Sequence, residues 1–369
     1  MNIISIIMST FGILGALDLI IGNKIGIGRE FEKGIHMLGD LTVSMLGMIV
    51  LAPLISHFLS APLKAFSNIV PIDPSAFIGS ILANDMGGAQ VSLEIANSEA
   101  MGYFNGLVVG SMMGAAISFT LPFVMGVISK ERRNNVLLGL LCGICTIPVG
   151  CFVAGLMCKI DVLPLLFNLL PLILLSAILT VGLLLFRNAS VKMFNIFGII
   201  IKTIVIIGLV IGIFEFLTGF DIVPYTDPSV TMEGVEIIFN IACVMAGVFP
   251  LLFIISKLTA KPLSSLGAKT GLNEKSILGF ISTLATSVTT FGMMDEMDDK
   301  GIVLNSAFAV SAAFTLADHL AFTLSFKSEY LPAVMVGKII SGVFALALAI
   351  IIYKKGRKKD SQTVTPTKI

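Results

Sequence analysis

Charge is scarce in this chain. Of its 369 residues only 13% are Asp, Glu, Lys or Arg, about half the roughly 25% usual in soluble domains. A soluble globular enzyme and a disordered scaffold are excluded on that ground. Net charge is lacking too: 24 Lys and Arg stand against 23 Asp and Glu, so no basic field awaits a nucleic acid. No Walker A, H-E-x-x-H or G-x-S-x-G pattern occurs, which leaves ATP-driven pumping and common hydrolase chemistry without support. Cysteines number five. Cys142-x-x-Cys145 has metal-site spacing but no second pair or histidine nearby, so it reads as small packing residues. No metal and no cofactor is expected. No Lys or Arg precedes the first apolar run, and Asp18 interrupts it, so residues 3–22 read as a retained span rather than a cleaved signal peptide.

What the chain has instead is apolar length. Hydrophobic residues make up 56% and the mean hydropathy is +0.99. This is a polytopic all-α membrane protein with the lipid bilayer as its solvent, and its 35 glycines suit closely packed spanning helices. A span needs about 20 apolar residues. Nine stretches qualify: 3–22, 37–58, 102–127, 135–158, 162–186, 194–218, 234–256, 302–324 and 332–353. Two more, 74–93 and 275–294, are apolar but interrupted by polar residues and glycine. They read as pairs of half-helices meeting at a tip buried in protein.

Lys and Arg decide whether the broken segments cross. If both are re-entrant, the basic loops at 24–33, 130–133, 187–192 and 257–275 and the basic tail 354–369 all share one side. The positive-inside rule then puts the N-terminus outside and the C-terminus inside the cytoplasmic membrane. The loop 219–233 on the other side holds Asp221, Asp227 and Glu233 and no Lys or Arg.

Shifted by 200 residues, the chain resembles itself. Gly34/Gly234, Met45/Met245, Gly47/Gly247, Leu51/Leu251, Ile55/Ile255, Ser56/Ser256, Pro62/Pro262 and Leu63/Leu263 coincide, as do Gly79/Gly279, Asn105/Asn305 and Ser111/Ser311. A slightly different offset sets Asp18 against Glu215. The units are 1–158 and 194–353, joined by a connecting span in 159–193. Five crossings separate their starts, so the second copy is expected upside down. Inverted repeats with broken helices describe a secondary transporter. A channel and a bundle with ordinary internal duplication are the competing readings.

Candidate ligand groups cluster at the breaks. Asn84, Asp85, Gly87 and Gly88 form the first tip. A carboxylate at membrane depth costs at least about 2.5 kcal/mol, so it marks a pathway or a pair, unless it caps the next half-helix. Thr286, Ser287, Thr289 and Thr290 offer hydroxyls at the second tip, where back-bonding within the helix is the alternative. Asp318 and His319 lie in the span 302–324 and point about 100° apart. Asn105, Ser111, Asn305 and Ser311 recur in the spans after each tip, where they either let the helix unwind or pack closely. Lys202 and Lys338 read as snorkelling to the nearer interface. The run Asp295, Glu296, Asp298, Asp299 reads as a solvated rim.

Around these residues the chain resembles the ethanolamine permeases of the ethanolamine-utilisation (EutH) family. The stretches are DMGG (85–88), GSMMG (110–114), TIPVGC (146–151), FGMMDEMDDKG (291–301) and NSAFAVSAAFTLADHLAF (305–322). The second tip, TLATSVTTFG (283–292), departs from the Asn-rich sequence more familiar there. The resemblance implies a bacterial inner-membrane protein that imports ethanolamine for breakdown to acetaldehyde and ammonia. Ethanolamine is a primary amine, protonated at neutral pH like a lysine side chain. Asp85 and Asp318 suit its ammonium, the Ser, Thr and Asn groups its hydroxyl, and Phe291 or Phe314 a cation–π face. A passive channel for a small amine or ammonium, a carrier of another small polar solute, and a membrane-embedded enzyme using Asp318 and His319 are the alternatives. Self-association into a homo-oligomer stays open.

Overall fold

A computed structural model describes residues 3–226 and 228–363; Asp227 and the end of the basic tail, 364–369, lie outside the described residues. All regular structure among the described residues is helical. Among the described residues, eight helices are long and apolar enough to cross a membrane. They are α1 (Ile3–Ile20), α2 (Ile27–Ser67), α5 (Glu99–Val127), α6 (Arg133–Met157), α7 (Val162–Leu185), the Lys192–Thr218 part of α8 (Arg187–Thr218), the Pro228–Leu258 part of α9 (Pro228–Thr270), and Asp318–Lys354. The short helices are α3 (Ser75–Ile81), α4 (Ala89–Ile95), α10 (Glu274–Ala285), α11 (Ser287–Gly292), α12 (Asp299–Ala312) and α13 (Asp318–Lys327); α14 (Leu331–Thr363) closes the chain.

The expected ninth span, 302–324, is not one helix. α12 stops at Ala312 and α13 starts at Asp318. Between them Phe314 has φ +61°, a strained backbone for a bulky residue. The cause is tertiary: Phe314 N–H donates to the Thr283 carbonyl at 3.1 Å and Leu316 N–H to that of Leu284 at 2.9 Å. Backbone bonds to another segment replace the helical ones.

The two broken segments are broken where their polar residues fall. α3 ends in extended Leu82 and Ala83, the chain turns through Asn84–Gly88 with Gly87 at φ +82°, and α4 follows. α10 ends at extended Thr286, and α11 follows. α5 winds as a wide π-helix over Phe104–Gly114, a geometry frequent at functional sites.

Helices meet where side chains vanish. A Cβ on Gly150 in α6 would run into the Gly337 carbonyl of α14, and one on Gly47 in α2 into the Val205 carbonyl of α8. Around these crossings Phe104, Leu107, Met112, Leu140, Ile144 and Phe322 are buried.

Positions about 200 residues apart make matching contacts. Asp18 accepts from the backbone of Ile25, Gly26 and Gly28, and Glu215 accepts from Ile222 N–H and the Thr226 hydroxyl. Asn105 donates to Ser75 Oγ at 2.8 Å, and Asn305 to the Ser276 carbonyl at 2.8 Å. Each asparagine thus ties down the start of the broken segment before it. Ser98 and Asp298 cap α5 and α12 through Met101 and Gly301.

Asp298 belongs to the acidic run expected to be a solvated rim, but it works as a clamp. Burial pushes its carboxyl up, and donors on Ser276, Asn273 and Gly301 outweigh that and hold it below its ordinary value. A depressed carboxylate stabilises the fold above the ordinary pKa and ceases to as pH falls through the lowered one. Asp298→Ala is therefore expected to speed amide exchange across the starts of α10 and α12 at neutral pH. The difference from wild type should shrink in acid, as followed by hydrogen-exchange mass spectrometry.

Candidate functional site

Three interruptions converge inside the bundle. The first tip lies on α5, where glycine allows contact: a Cβ on Gly114 would run into the Leu82 carbonyl, and one on Gly110 would come within 3.2 Å of Asn84 N. Ser118 Oγ, also on α5, accepts from Ala83 N–H at 3.1 Å. The second tip is tied to the unwound segment 313–317 by the two backbone bonds already described. That segment delivers Asp318 at the start of α13. Its carboxyl lies within hydrogen-bonding reach of the Asp85 carboxyl from the first tip.

Lys338 completes the cluster and was not foreseen in it. It does not snorkel. Only 1% of it is exposed, and its Nζ donates to the Ser111 carbonyl at 2.6 Å and lies 2.9 Å from His319 Nδ1. Where Lys338 is an ammonium it donates to Nδ1, and the ring proton then sits on Nε2. The sequence did hold a signal. Lys338, Ser341, Ala345 and Ala349 follow one helix face and are all buried; a small-residue face packs on protein, not lipid.

Several polar atoms here have no protein partner. They are both side-chain termini of Asn84, Asp85 Oδ1, Ser287 Oγ, Ser311 Oγ and Asp318 Oδ1. Each orphaned buried polar group costs about 1–3 kcal/mol. Two facing carboxylates add repulsion unless a proton or cation lies between them. A cavity of about 950 Å³ reaches this place. Thr286, Thr289, Phe314 and Asp318 line one part of it, and Arg29, Glu30, Lys33 and Asp40 another. A second hollow of about 380 Å³ is lined by Ser56, His57, Lys64, Glu94 and Tyr225, with the His57 and Tyr225 rings stacked at 4.0 Å.

A profile of the ethanolamine utilisation protein EutH family matches residues 1–352. The chain belongs to the EutH family. It is 42% identical to the probable ethanolamine permease EutH of Listeria monocytogenes, over 97% of this chain and 96% of that one. It is 33% identical to the probable ethanolamine permease EutH of Escherichia coli, over 99% and 98%. A third relative, the probable ethanolamine permease EutH of Salmonella typhimurium, is 33% identical over 96% of each chain. No solved structure matches.

The EutH-like stretches DMGG, GSMMG and NSAFAVSAAFTLADHLAF supply the first tip, the α5 face beneath it and the unwound segment with Asp318. Of the residues singled out by sequence, Asp85, Asp318 and His319 come together. Thr286 and Thr289 line the cavity. Asn84, Ser287 and Ser311 are buried with unpartnered termini. Others are engaged in holding the fold. Asn105 is bonded to Ser75 and Asn168, Ser111 Oγ donates to the Val108 carbonyl, and Thr290 pairs with Thr283 and the Gly279 carbonyl. Asn305 spends its amide on Ser276 and Gly301. Gly87 turns the first tip, and Gly88 lies where a Cβ would strike the Ala83 carbonyl.

Proposed function

We propose that the chain is a secondary transporter that brings ethanolamine across the cytoplasmic membrane, holding its ammonium between Asp85 and Asp318. The observation that carries this reading is the facing carboxyl pair, with outer oxygens that no protein donor satisfies. A primary ammonium has three N–H donors and one positive charge, which suits both acceptors at once. The unpartnered Asn84, Ser287 and Ser311, with Thr286 and Thr289, are the neutral groups for the hydroxyl. The names of the relatives support the same substrate. Labelled ethanolamine should enter proteoliposomes saturably, with competition by unlabelled substrate and with counterflow. Uptake that never saturates and shows no counterflow would make the protein a channel.

The carrier is built, in this reading, from two inverted repeats, 1–158 and 194–353, whose broken segments enter from opposite sides. The matching contacts of Asp18 and Glu215, and of Asn105 and Asn305, support it. Orientation is N-terminus out and C-terminus in, with α12, the unwound segment 313–317 and α13 together making the ninth crossing. On a background without the native cysteines, a cysteine replacing Glu329 should label from outside intact cells, and one replacing Lys275 should not.

The first tip needs its glycines for close packing. Gly88→Val is expected to leave a monodisperse, inserted protein whose ethanolamine affinity falls about tenfold or more, ~1.4 kcal/mol. Size-exclusion chromatography and calorimetric titration separate the two effects.

A further inference from the structure

We propose that the Asp85–Asp318 pair trades one proton for one substrate ammonium, so that a transport cycle carries no net charge. The proposal rests on the reading of this pair as the ammonium site and adds what the site must hold when substrate is absent.

The argument is a count of charges. Inside the cluster the ionisable groups are Asp85 on the first tip, Asp318 and His319 on α13 and Lys338 on α14, with the buried Cys151 thiol of α6 nearby. With Lys338 an ammonium, His319 Nδ1, 2.9 Å from its Nζ, accepts and the ring is neutral. A buried thiol brings no charge. The remaining charges around the cavity, Arg29, Glu30, Glu32, Lys33, His36 and Asp40, sit on α2, and Lys338 is not part of that lining. Two carboxylates therefore face one fixed ammonium. Lys338 is held on Ser111 and His319 rather than between the carboxyls. The balance is short by one positive charge, in a part of the protein where net charge is expensive.

One proton shared between the carboxyls restores the balance, and so does one substrate ammonium. Both together leave an excess, and neither leaves a deficit. The two balanced states are the ones that can reorient at low cost. Outside, the ammonium enters between Asp85 and Asp318 and the shared proton leaves to the external solution. Inside, a proton from the cytoplasm takes the place of the departing ammonium. One ammonium has moved in, one proton has moved out, and no charge has crossed.

The test starts with binding to the purified full chain. Ethanolamine hydrochloride is titrated in a calorimeter at pH about 6.5, in buffers of different ionisation enthalpy. The dependence of the heat on buffer counts the protons released, and close to one per ligand is expected. Binding with no proton released overturns the exchange and leaves the ammonium site standing. No binding at all overturns that site reading and the exchange with it. Asp85→Asn, whose remaining carboxylate is balanced by Lys338, should release no proton on addition of ethanolamine.

A second measurement needs only the wild-type protein. In proteoliposomes, potassium diffusion potentials of either sign should change ethanolamine accumulation less than twofold, after subtraction of protein-free liposomes. A carrier of one net charge would change it about fiftyfold per 100 mV, or roughly 2.3 kcal/mol, and that result would overturn the proposal.

Discussion

Asp318→Asn is expected to lower ethanolamine affinity at least about thirtyfold, ~2 kcal/mol, the low end of what truncating one member of a buried charge pair costs. Asp85→Asn should do the same. Asparagine keeps the size and one acceptor of the carboxylate and removes the charge. Were Asp85 only a helix cap, the exchange would be nearly neutral, since Asn caps about as well as Asp. No side chain caps the start of α4, which leaves the cap reading without its bond. The measurement is equilibrium binding to the purified variants at a pH where ethanolamine is protonated. Unchanged affinity in both variants would remove the paired-ammonium site.

Lys338→Met should have the largest effect on stability. It leaves two buried carboxylates facing each other and empties the ammonium from the Ser111 carbonyl and His319 Nδ1. Breaking buried charge compensation in this way costs about 3–5 kcal/mol. Adding Asp85→Asn to Lys338→Met removes one of the stranded charges and should recover part of the loss. The shortfall from additivity measures the coupling of the two residues. The chain has no tryptophan, so the thermal midpoint is best followed by the fraction surviving size-exclusion chromatography after heating. A simple packing lysine would give single-variant losses that add.

The breaks at 84–88 and 286 were legible because polar residues and glycine interrupt apolar runs there. The break at 313–317 was not. Ala313-Phe314-Thr315-Leu316-Ala317 contains no helix breaker, and it unwinds because Thr283 and Leu284 offer carbonyls from a distant part of the chain. Hydropathy and propensity see neighbours in sequence, and this cause lies 31 and 32 residues away, at Thr283 and Leu284. Asn105 and Asn305 were legible as a recurring pair, but a recurrence does not say whether an amide holds a ligand or a helix. Their hydrogen bonds assign them to Ser75, Asn168 and Ser276. The distance of Lys338 from its helix end suits snorkelling, but the face it shares with Ser341, Ala345 and Ala349 turns it into the protein. Asp85 and Asp318 were each visible alone; their meeting depends on the 313–317 segment.

The two backbone bonds between 313–317 and the second tip join that tip to Asp318 as one piece. Asp85, by contrast, rides on the first tip, which lies against Gly110 and Gly114 of α5. The two carboxyls thus belong to opposite banks of a seam. Lys338 spans the seam permanently, bolted to Ser111 on the α5 bank and to His319 on the other. A cation between the carboxyls is a second pin, and a removable one. If the proposed carrier slides along that seam, the lysine is its fixed pin and the ion beside it the removable one.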